Sequence, residues 1–504
     1  MTDKLCVAIV LTNAESPSAG ECRLLDALRQ KNCYQLTLLS SDSSPVELLP
    51  LAIRAVLTAE RSVLKLLRKI PVFTHATGSV LSLDQFSDIQ PPPDLVVDFS
   101  GLDRVETLAQ ASPFGMWRLD AYSTGGGIDA AFLCKVSTLV NLMQWQGNGQ
   151  PPEAIAQAVY DTKTLAAMNA MYIQEKSVQL IERELARLTI TLERPYSQKI
   201  TPPDLPRLRH LGRYLLSVFS NIIVRVWQAL MAQMGGKPGM FEIRVGRGTL
   251  LDFNPVDTVA ISVDGNRFLA DPFLIENNGE TFLFYEDFNY DTDLGHIGVG
   301  KLDGTKFEMI GPAYIAPHHL SFPFVFRHGD DIFMLPETYQ ANRLEIWRAV
   351  NFPTGWELYS TSMEGVSAVD SVLSEINGEW WLFTNICRDS FNDHCAELHI
   401  FRTDGPAMTK IEPHALNPVV IGSDTARGGG RIFCQDGRWY RVSQDNSGGS
   451  YGYGLNIMEI EELDLLHYHE SRIRHITPDF MPGLIGCHQF DAAGGLFVID
   501  TRKP

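Results

Sequence analysis

The sequence contains no pair of cysteines in C-x-x-C spacing, although eight cysteines are scattered over its 504 residues. Scattered thiols are typical of a reducing compartment and give no sign of a zinc site. No run of 18 apolar residues occurs, so no membrane-spanning helix is predicted. The first residues lack the basic and apolar regions of a signal peptide. Together these features predict a cytoplasmic protein.

Positive charge is also scarce. Lys and Arg number 42 against 60 Asp and Glu, which gives a net charge of −18. Such a chain offers no general phosphate-neutralising surface, so nucleic acid is not expected as a partner. The chain is longer than a domain with a single hydrophobic core, so its length predicts two or three domains.

Residues 1–190 alternate short apolar runs with helical patterns. Strands are predicted at residues 5–11, 36–39 and 95–99, and helices at residues 52–69 and 162–188. This alternation predicts an α/β domain with a largely parallel sheet.

Residues 191–240 form a junction, in which prolines at 195, 202, 203 and 206 precede a strongly apolar helix at residues 208–234. Glycines at 235, 236 and 239 and the proline at 238 end this helix. Two interpretations of the helix stay open. Its apolar stripe is typical of packed core, whereas its arginines favour a peripheral membrane contact. Those arginines are Arg207, Arg209, Arg213 and Arg225.

Residues 241–504 replace helical periodicity with short β-rich runs and Asn-Gly or Asp-Gly turns. Five copies of a two-strand pattern start near residues 271, 321, 370, 430 and 488. Asp271 and Asp370 lie 99 residues apart with one copy between them, so the period is about 50 residues. Hairpins at this period predict an all-β, five-bladed propeller, with residues 241–262 closing the ring. The alternative is an open β-sandwich.

Polar residues recur where the two strands of each copy meet. Antiparallel pairing predicts that Asp271 lies beside Glu286, Ser321 beside Glu337, and Asp370 beside Asn385, all on one axial face. The predicted catalytic residues are Asp271, Glu286, Glu337 and Asp370. The predicted substrate-binding residues are His319, Ser321, Asn385, Arg427, Arg431, Gln444 and Asp445. Because converging carboxylates raise one another's pKa, one can act as an acid while another acts as a base, as glycoside chemistry requires.

The first copy resembles the five-bladed arabinanase, xylosidase and invertase-type enzymes, since Ala-Asp-Pro stands at its inner strand. That resemblance implies Asp271 as base or nucleophile and Asp370 as the residue that tunes pKa and orients substrate. No Glu starts a later inner strand, so Glu337 or Glu286 is the candidate acid. The resemblance also implies Ca²⁺ or another cation near a central histidine, for which His488 is the candidate. A hydrogen bond from His488 to the backbone is the alternative.

A closer resemblance covers residues 270–445. The segments HLSFPFVF at 319–326, MLPET at 334–338, LEIWRAV at 344–350, VDS at 369–371, ARGGGR at 426–431 and YRVSQD at 440–445 occur in order. They resemble the N-terminal propeller of plant glucosamine inositolphosphorylceramide transferases and related bacterial proteins. In the plant proteins the glycosyltransferase domain is a separate unit after the propeller.

The N-terminal zone is similar to formyltransferase-like domains at residues 94–101, 114–120 and the glycines at 125–127. That family uses an Asn and a His where this sequence reads Met-Trp-Arg-Leu-Asp at 116–120. The domain is therefore predicted to be degenerate, and formyl transfer is not expected.

The leading hypothesis is an enzyme that hydrolyses or transfers a glycosyl group of a sugar or glycoconjugate at the axial face. A rival hypothesis is a non-catalytic module that binds a glycan or nucleotide sugar on a degenerate formyltransferase-like scaffold. The missing Glu at an inner-strand start favours this rival. A third hypothesis is a formyltransferase or other one-carbon enzyme that uses other residues.

Overall fold

The computed structural model describes residues 4–13, 15–40, 49–67, 79–101, 106–122, 127–147, 149–191, 206–233, 240–263 and 266–504. The chain forms two compact units. They are Met1–Trp227 with Asp389–Phe391, and Gln228–Arg388 with Asn392–Pro504. The prolines at 195, 202, 203 and 238 and the glycines at 125, 126, 235, 236 and 239 lie outside the described residues.

The first unit is built on a seven-stranded sheet of order β3-β2-β1-β4-β5-β6-β7. Its strands are β1 (Leu5–Leu11), β2 (Tyr34–Ser40), β3 (Val80–Ser82), β4 (Leu95–Asp98), β5 (Met116–Leu119), β6 (Ser137–Trp145) and β7 (Glu153–Asp161). Its α-helices are α1 (Ala19–Arg29), α2 (Leu51–Leu66), α3 (Glu106–Ala109), α4 (Ile128–Phe132) and α5 (Ala166–Thr191), together with most of α6 (Leu208–Gln233), whose last residues belong to the second unit. Short 3₁₀ turns lie at Leu83–Asp88 and Asp120–Tyr122.

Neighbouring strands from β3 to β5 are parallel, and only the pairs β5–β6 and β6–β7 are antiparallel. Strands β1 and β4 are buried almost throughout, as expected for parallel strands covered on both faces. The predicted α/β class is therefore confirmed. The formyltransferase-like assignment of this unit stays a prediction.

A buried ion pair joins β5 to β4 in this unit. The Arg118 Nε lies 2.6 Å from the Asp98 Oδ2, and both side chains are buried. Asp98 also accepts hydrogen bonds from the backbone and hydroxyl of Ser100. Loss of formyl transfer stays our prediction for this unit.

The described part of the second unit forms five β-sheets, which are the five predicted propeller blades. Blade 1 contains β10 (Arg267–Asn277), β11 (Glu280–Asn289), β12 (Leu294–Asp303) and β13 (Lys306–Tyr314). Blade 2 contains β14 (Ser321–His328), β15 (Asp331–Glu337), β16 (Leu344–Asn351) and β17 (Gly355–Ser362). Blade 3 contains β18 (Ala368–Ile376), β19 (Glu379–Ile386), β20 (Glu397–Thr403), β21 (Ile411–Pro413) and β22 (Val420–Ile421). Blade 4 contains β23 (Gly428–Gln435), β24 (Arg438–Asp445), β25 (Gly454–Leu463) and β26 (Tyr468–Ile476).

Blade 5 joins the two ends of the propeller. Its order is β27 (Phe490–Ala493), β28 (Leu496–Arg502), β8 (Phe241–Arg247) and β9 (Thr258–Ala260). The first strands of consecutive blades neighbour one another, and β27 neighbours β10, so the ring is closed. The predicted role of residues 241–262 in closure is confirmed.

The hairpins inside blades 1, 3 and 4 use the predicted turn chemistry. Asn278, Asn377 and Asp436 have φ values of 52°, 54° and 53°, and a glycine with positive φ follows each of them. Two consecutive left-handed residues match a type I′ turn, whose twist suits antiparallel strands.

Candidate functional site

The first strands of blades 1, 2 and 3 each contain a β-bulge at the same point. Asp271, Phe322 and Asp370 adopt left-handed backbone conformations there, with φ of 51°, 44° and 49°. Such conformations are unfavourable for residues other than glycine, and bulges redirect side chains. Asp271 and Asp370 are therefore structurally equivalent, and Phe322 takes their place in blade 2.

The bulges change the predicted strand register. Glu286 opposes Ala270, and Asn385 opposes Val369, so the predicted pairing is wrong by one residue in blades 1 and 3. Ser321 does oppose Glu337 as predicted. The shift arises because two bulge residues face one residue of the neighbouring strand.

The bulges also connect neighbouring blades through carboxylates. The Asp271 Oδ2 accepts a hydrogen bond of 3.1 Å from the Phe322 N–H, and the Glu337 Oε2 accepts one of 3.2 Å from the Asp370 N–H. The Asp271 N–H in turn donates to the Asp500 Oδ2 at 3.2 Å. Asp500, Asp271 and Glu337 thus each stabilise the strained backbone of a neighbouring blade's bulge. We call these three residues the carboxylate cluster, together with Glu286 and Asp370, which interact with them electrostatically.

Burial dominates the electrostatics of the carboxylate cluster. It raises the pKa of Asp271 to about 6, with His488 lowering this pKa and Asp500 and Asp370 raising it. Burial also raises the pKa of Glu286 well above its usual range, and the charge of Asp271 adds to this. Burial and then Asp370 raise the pKa of Glu337 in the same direction. Two glutamic acids whose protonated forms are favoured therefore lie in one cluster with aspartates.

Asp370 is the member that has a full cationic partner. The Arg427 Nε donates to the Asp370 Oδ2 at 2.6 Å, and the Arg427 Nη2 lies 3.4 Å from the Oδ1. Gln444 adds an amide donor at 3.1 Å. Asn385 supports the same corner of the site, since its amide bonds the carbonyls of Glu397 and Ala426. Arg427 thus neutralises the charge of Asp370.

His319 faces the carboxylate cluster from the loop before β14. Its Nδ1 accepts the Gly295 N–H at 2.9 Å, so the ring proton resides on Nε2, 3.4 Å from the Glu286 Oε1. Burial lowers the pKa of His319, which makes the ring a neutral donor. A Cβ at position 295 would lie 2.8 Å from both the Glu286 Oε1 and the His319 ring, so glycine is needed there.

The hydrogen bonds of Arg431 and Asp445 run to residues outside the carboxylate cluster. Arg431 pairs with Asp491 and donates to the Leu274 carbonyl at 2.8 Å, which ties together first strands of three blades. Asp445 pairs with the His475 Nε2 at 3.0 Å, on the opposite face of β24 from Gln444. Arg431 was predicted to lie near Asp445, and its hydrogen bonds run to Asp491 instead.

Two residues of the site were absent from the sequence-based prediction. Asp500 lies on β28 and binds the backbone N–H groups of His488 and Gln489, each at 3.0 Å. Tyr451 lies in a glycine-rich loop with its ring 5.1 Å from the Arg427 Cζ and 5.4 Å from the His488 ring, and it is 41% exposed. The signal for Tyr451 was the loop sequence NSGGSYGYG at 446–454, in which an aromatic residue is surrounded by glycine and serine.

His488 bridges two members of the cluster. Its Nδ1 lies 2.7 Å from the Asp500 Oδ2, and its Nε2 lies 3.4 Å from the Asp271 Oδ1. Asp271, His488 and Asp500 are close enough to share a metal ion. Burial alone would lower the pKa of His488, but Asp500 and then Asp271 raise it above its ordinary value. These two carboxylates favour the protonated ring, and an imidazolium would leave no lone pair for a metal.

Protein purified without chelator is therefore expected to carry no stoichiometric metal by elemental analysis. Its melting temperature should be unchanged by EDTA, because protonation of His488, which Asp500 and Asp271 favour, would balance these carboxylates without a metal. One retained equivalent of metal that is lost together with stability in EDTA, and is absent from Asp500→Asn protein, would instead establish the predicted cation site.

Comparison with known proteins agrees with the resemblance predicted for residues 270–445. Residues 253–479 match the family described as "Glucosamine inositolphosphorylceramide transferase 1, N-terminal". The chain is 37% identical over 224 residues to glucosamine inositolphosphorylceramide transferase 1 of Oryza sativa subsp. japonica, which covers 43% of this chain and 30% of that protein. The protein of the same name from Arabidopsis thaliana is 36% identical over 227 residues, covering 44% and 29%. The chain thus spans about 30% of the length of these curated relatives.

The matched region contains blades 1 to 4 with most of the carboxylate cluster, whereas His488 and Asp500 lie beyond it. Similar solved structures include Zg3597, a family 117 glycoside hydrolase of Zobellia galactanivorans, with TM-score 0.36 and 12% identity over 53% of this chain and 91% of that chain. A thermostable family-43 glycoside hydrolase has TM-score 0.38 and 12% identity over 48% and 90%.

Proposed function

We propose that the protein acts on a glycosyl substrate, by hydrolysis or transfer, and that the carboxylate cluster is its active site on the axial face of the propeller. One observation carries the proposal. Glu337 accepts the Asp370 N–H at 3.2 Å while Arg427 binds the Asp370 carboxylate, and burial raises the pKa of Glu337 above its usual range and that of Asp271 to about 6. Glycosyl chemistry needs a carboxyl group whose protonated form is favoured and a carboxylate in the same site. The name of the matched family and of its plant relatives supports a sugar or glycoconjugate as substrate.

The geometry suggests a separate catalytic role for each of three carboxyl groups. Asp271 is the base or nucleophile, Glu337 is the acid, and Asp370 holds the Glu337 carboxyl in place. Tyr451 offers an exposed aromatic face on which the apolar face of a sugar ring can pack. The neutral His319 can donate a hydrogen bond to a sugar hydroxyl. Cytoplasmic location and the absence of nucleic acid among the partners remain part of the proposal.

A binding module is the alternative function. It is favoured by the bulge positions, which carry Asp271, Phe322 and Asp370 but no glutamate. In this case the cluster would bind a glycan or nucleotide sugar without turning it over.

A ligand screen with two readouts tests both functions. Nucleotide sugars and glycosides are added to the full chain, and the melting temperature and the release of free sugar or nucleotide are measured. A ligand at about 100 times its Kd should stabilise the protein by about 2.7 kcal/mol. The shift should be lost in Tyr451→Ala and kept in Tyr359→Ala, a tyrosine of equal exposure on β17.

The outcomes separate the two functions. Stabilisation with turnover supports the enzyme, and stabilisation without turnover supports the binding module. If no glycosyl ligand changes the melting temperature, or if Tyr359→Ala loses the shift as Tyr451→Ala does, the site is elsewhere.

A further inference from the structure

Helix α6 is fixed to the first unit by one face only. Tyr214 is buried, its ring stacks on Phe132 at 4.2 Å, and its hydroxyl accepts the Ala166 N–H at 2.9 Å and donates to Glu60. Leu211 and Val218 pack into the same cluster. These positions are three to four residues apart, so a single side of the helix makes the contacts.

The side of α6 next to this contact face is apolar and exposed. Its stripe follows spacings of three, four and seven residues, which places the side chains in line on one face. The stripe consists of Leu208, Leu215, Phe219, Ile222, Val226 and Leu230, widened by Leu216, Ile223 and Trp227. Phe219 is 64% exposed, Leu216 71% and Trp227 60%. An exposed apolar surface of this continuity marks an interaction site.

The charge around the stripe identifies the kind of partner. The chain has 60 Asp and Glu, yet none occurs from residue 205 to residue 241. Arg209 and Arg213 flank the stripe, and Arg225 follows one turn after Ile222. A second copy of the chain docked on this stripe would bring like charges together. An anionic surface would instead pair with these arginines, whereas the rest of this acidic chain would repel it.

We infer that α6 lies in the surface of an anionic lipid bilayer, with the stripe in the acyl boundary and the arginines among the headgroups. Long basic side chains can extend to the headgroups, and Trp227 suits this boundary because its ring is amphipathic. Among the described residues, no helix is long and apolar enough to cross a membrane. At about 1.5 Å per residue, α6 could lie along about 39 Å of surface.

Vesicle flotation tests the inference on the full chain. We expect the protein to float with vesicles of phosphatidylcholine containing about one third phosphatidylglycerol, and much less with pure phosphatidylcholine. Phe219→Glu with Trp227→Glu should lower the bound fraction about tenfold or more. Arg209→Gln with Arg213→Gln should remove the preference for the anionic vesicles.

Ile315→Glu with Val350→Glu is the matched control, since both residues are exposed, at 64% and 60%, and lie on the propeller. This variant carries the same added charge and should float like the wild type. Circular dichroism should show that all variants are folded, because every replaced side chain is exposed. The inference is overturned if wild-type protein ignores anionic vesicles or if the helix variant floats equally well.

A second copy as partner would give a different result. Light scattering would then find a wild-type dimer that the Phe219→Glu and Trp227→Glu changes convert to monomer, with no vesicle binding. Soluble glycosyl ligands should still stabilise the helix variant, so failure of this inference is distinguishable from failure of the proposed function.

Discussion

Replacing Arg427 by Gln is expected to lower the free energy of unfolding by about 3–5 kcal/mol. The Asp370 side chain is only 4% exposed, and Arg427 provides its one charged hydrogen-bond donor among the described contacts. After the replacement, the neutral amide of Gln444 at 3.1 Å would remain as the side-chain donor. The aspartate would then be buried beside Glu337 without a counterion. Removing one partner of a buried ion pair costs more free energy of unfolding than the intact pair contributes, because the remaining charge stays buried.

Urea unfolding followed by fluorescence measures this effect. The double variant Arg427→Gln with Asp370→Asn should recover most of the loss, because it removes both charges together. Arg348→Gln is a matched control, since it breaks the exposed ion pair with Glu357 and should cost less than about 1 kcal/mol. Equal losses in Arg427→Gln and Arg348→Gln would mean that Asp370 is not held as a buried ion.

The propeller was predictable because each blade repeats a local signal. Hairpin turns at Asn278, Asn377 and Asp436 mark the first hairpin of blades 1, 3 and 4, and the period of the repeat counts the blades. Closure of the ring was also predictable, because the last copy lacked strands that residues 241–262 could supply. These features depend on turn chemistry and alternation, which are properties of short segments.

The register of the site was not predictable in the same way. A bulge adds one residue to a strand, and the first strands of blades 1 and 2 are buried on both faces around it, so no alternation of apolar and polar residues reveals the extra residue. Asp271 and Asp370 adopt left-handed φ values. The sequence does not predict this conformation, because neither residue is glycine. Phe322 adopts the same conformation and is the structural equivalent of Asp271, whereas the alignment of the repeat copies matches Ser321 to Asp271.

Long-range partners were the hardest to predict. Asp500 lies 229 residues from Asp271 and meets it only because the ring closes. Arg431 lies 60 residues from Asp491, and the pairing depends on which first strands become neighbours. In the first unit the antiparallel strands β6 and β7 were not predicted. The missed features all depend on contacts between distant segments.

Replacing Glu337 by Gln is expected to lower kcat about 10²–10⁴-fold on the glycosyl substrate found by the ligand screen. A glutamine has the shape of a protonated glutamic acid and can still accept the Asp370 N–H, which Glu337 accepts at 3.2 Å. The fold should therefore be kept while the transferable proton is lost. KM should change little, because the side chain is 8% exposed and contributes little binding surface.

The pH profile of kcat/KM separates this role from a structural one. Wild-type activity should rise as pH increases through about 6, where Asp271 becomes a carboxylate. It should fall at higher pH as Glu337, whose pKa burial and Asp370 raise, loses its proton. In Glu337→Gln the fall at high pH should disappear, whereas Glu286→Gln should keep it, although burial also raises the pKa of Glu286. If Glu286→Gln loses the high-pH fall instead, Glu286 is the acid, and if neither variant changes the profile, this cluster does not deliver the proton.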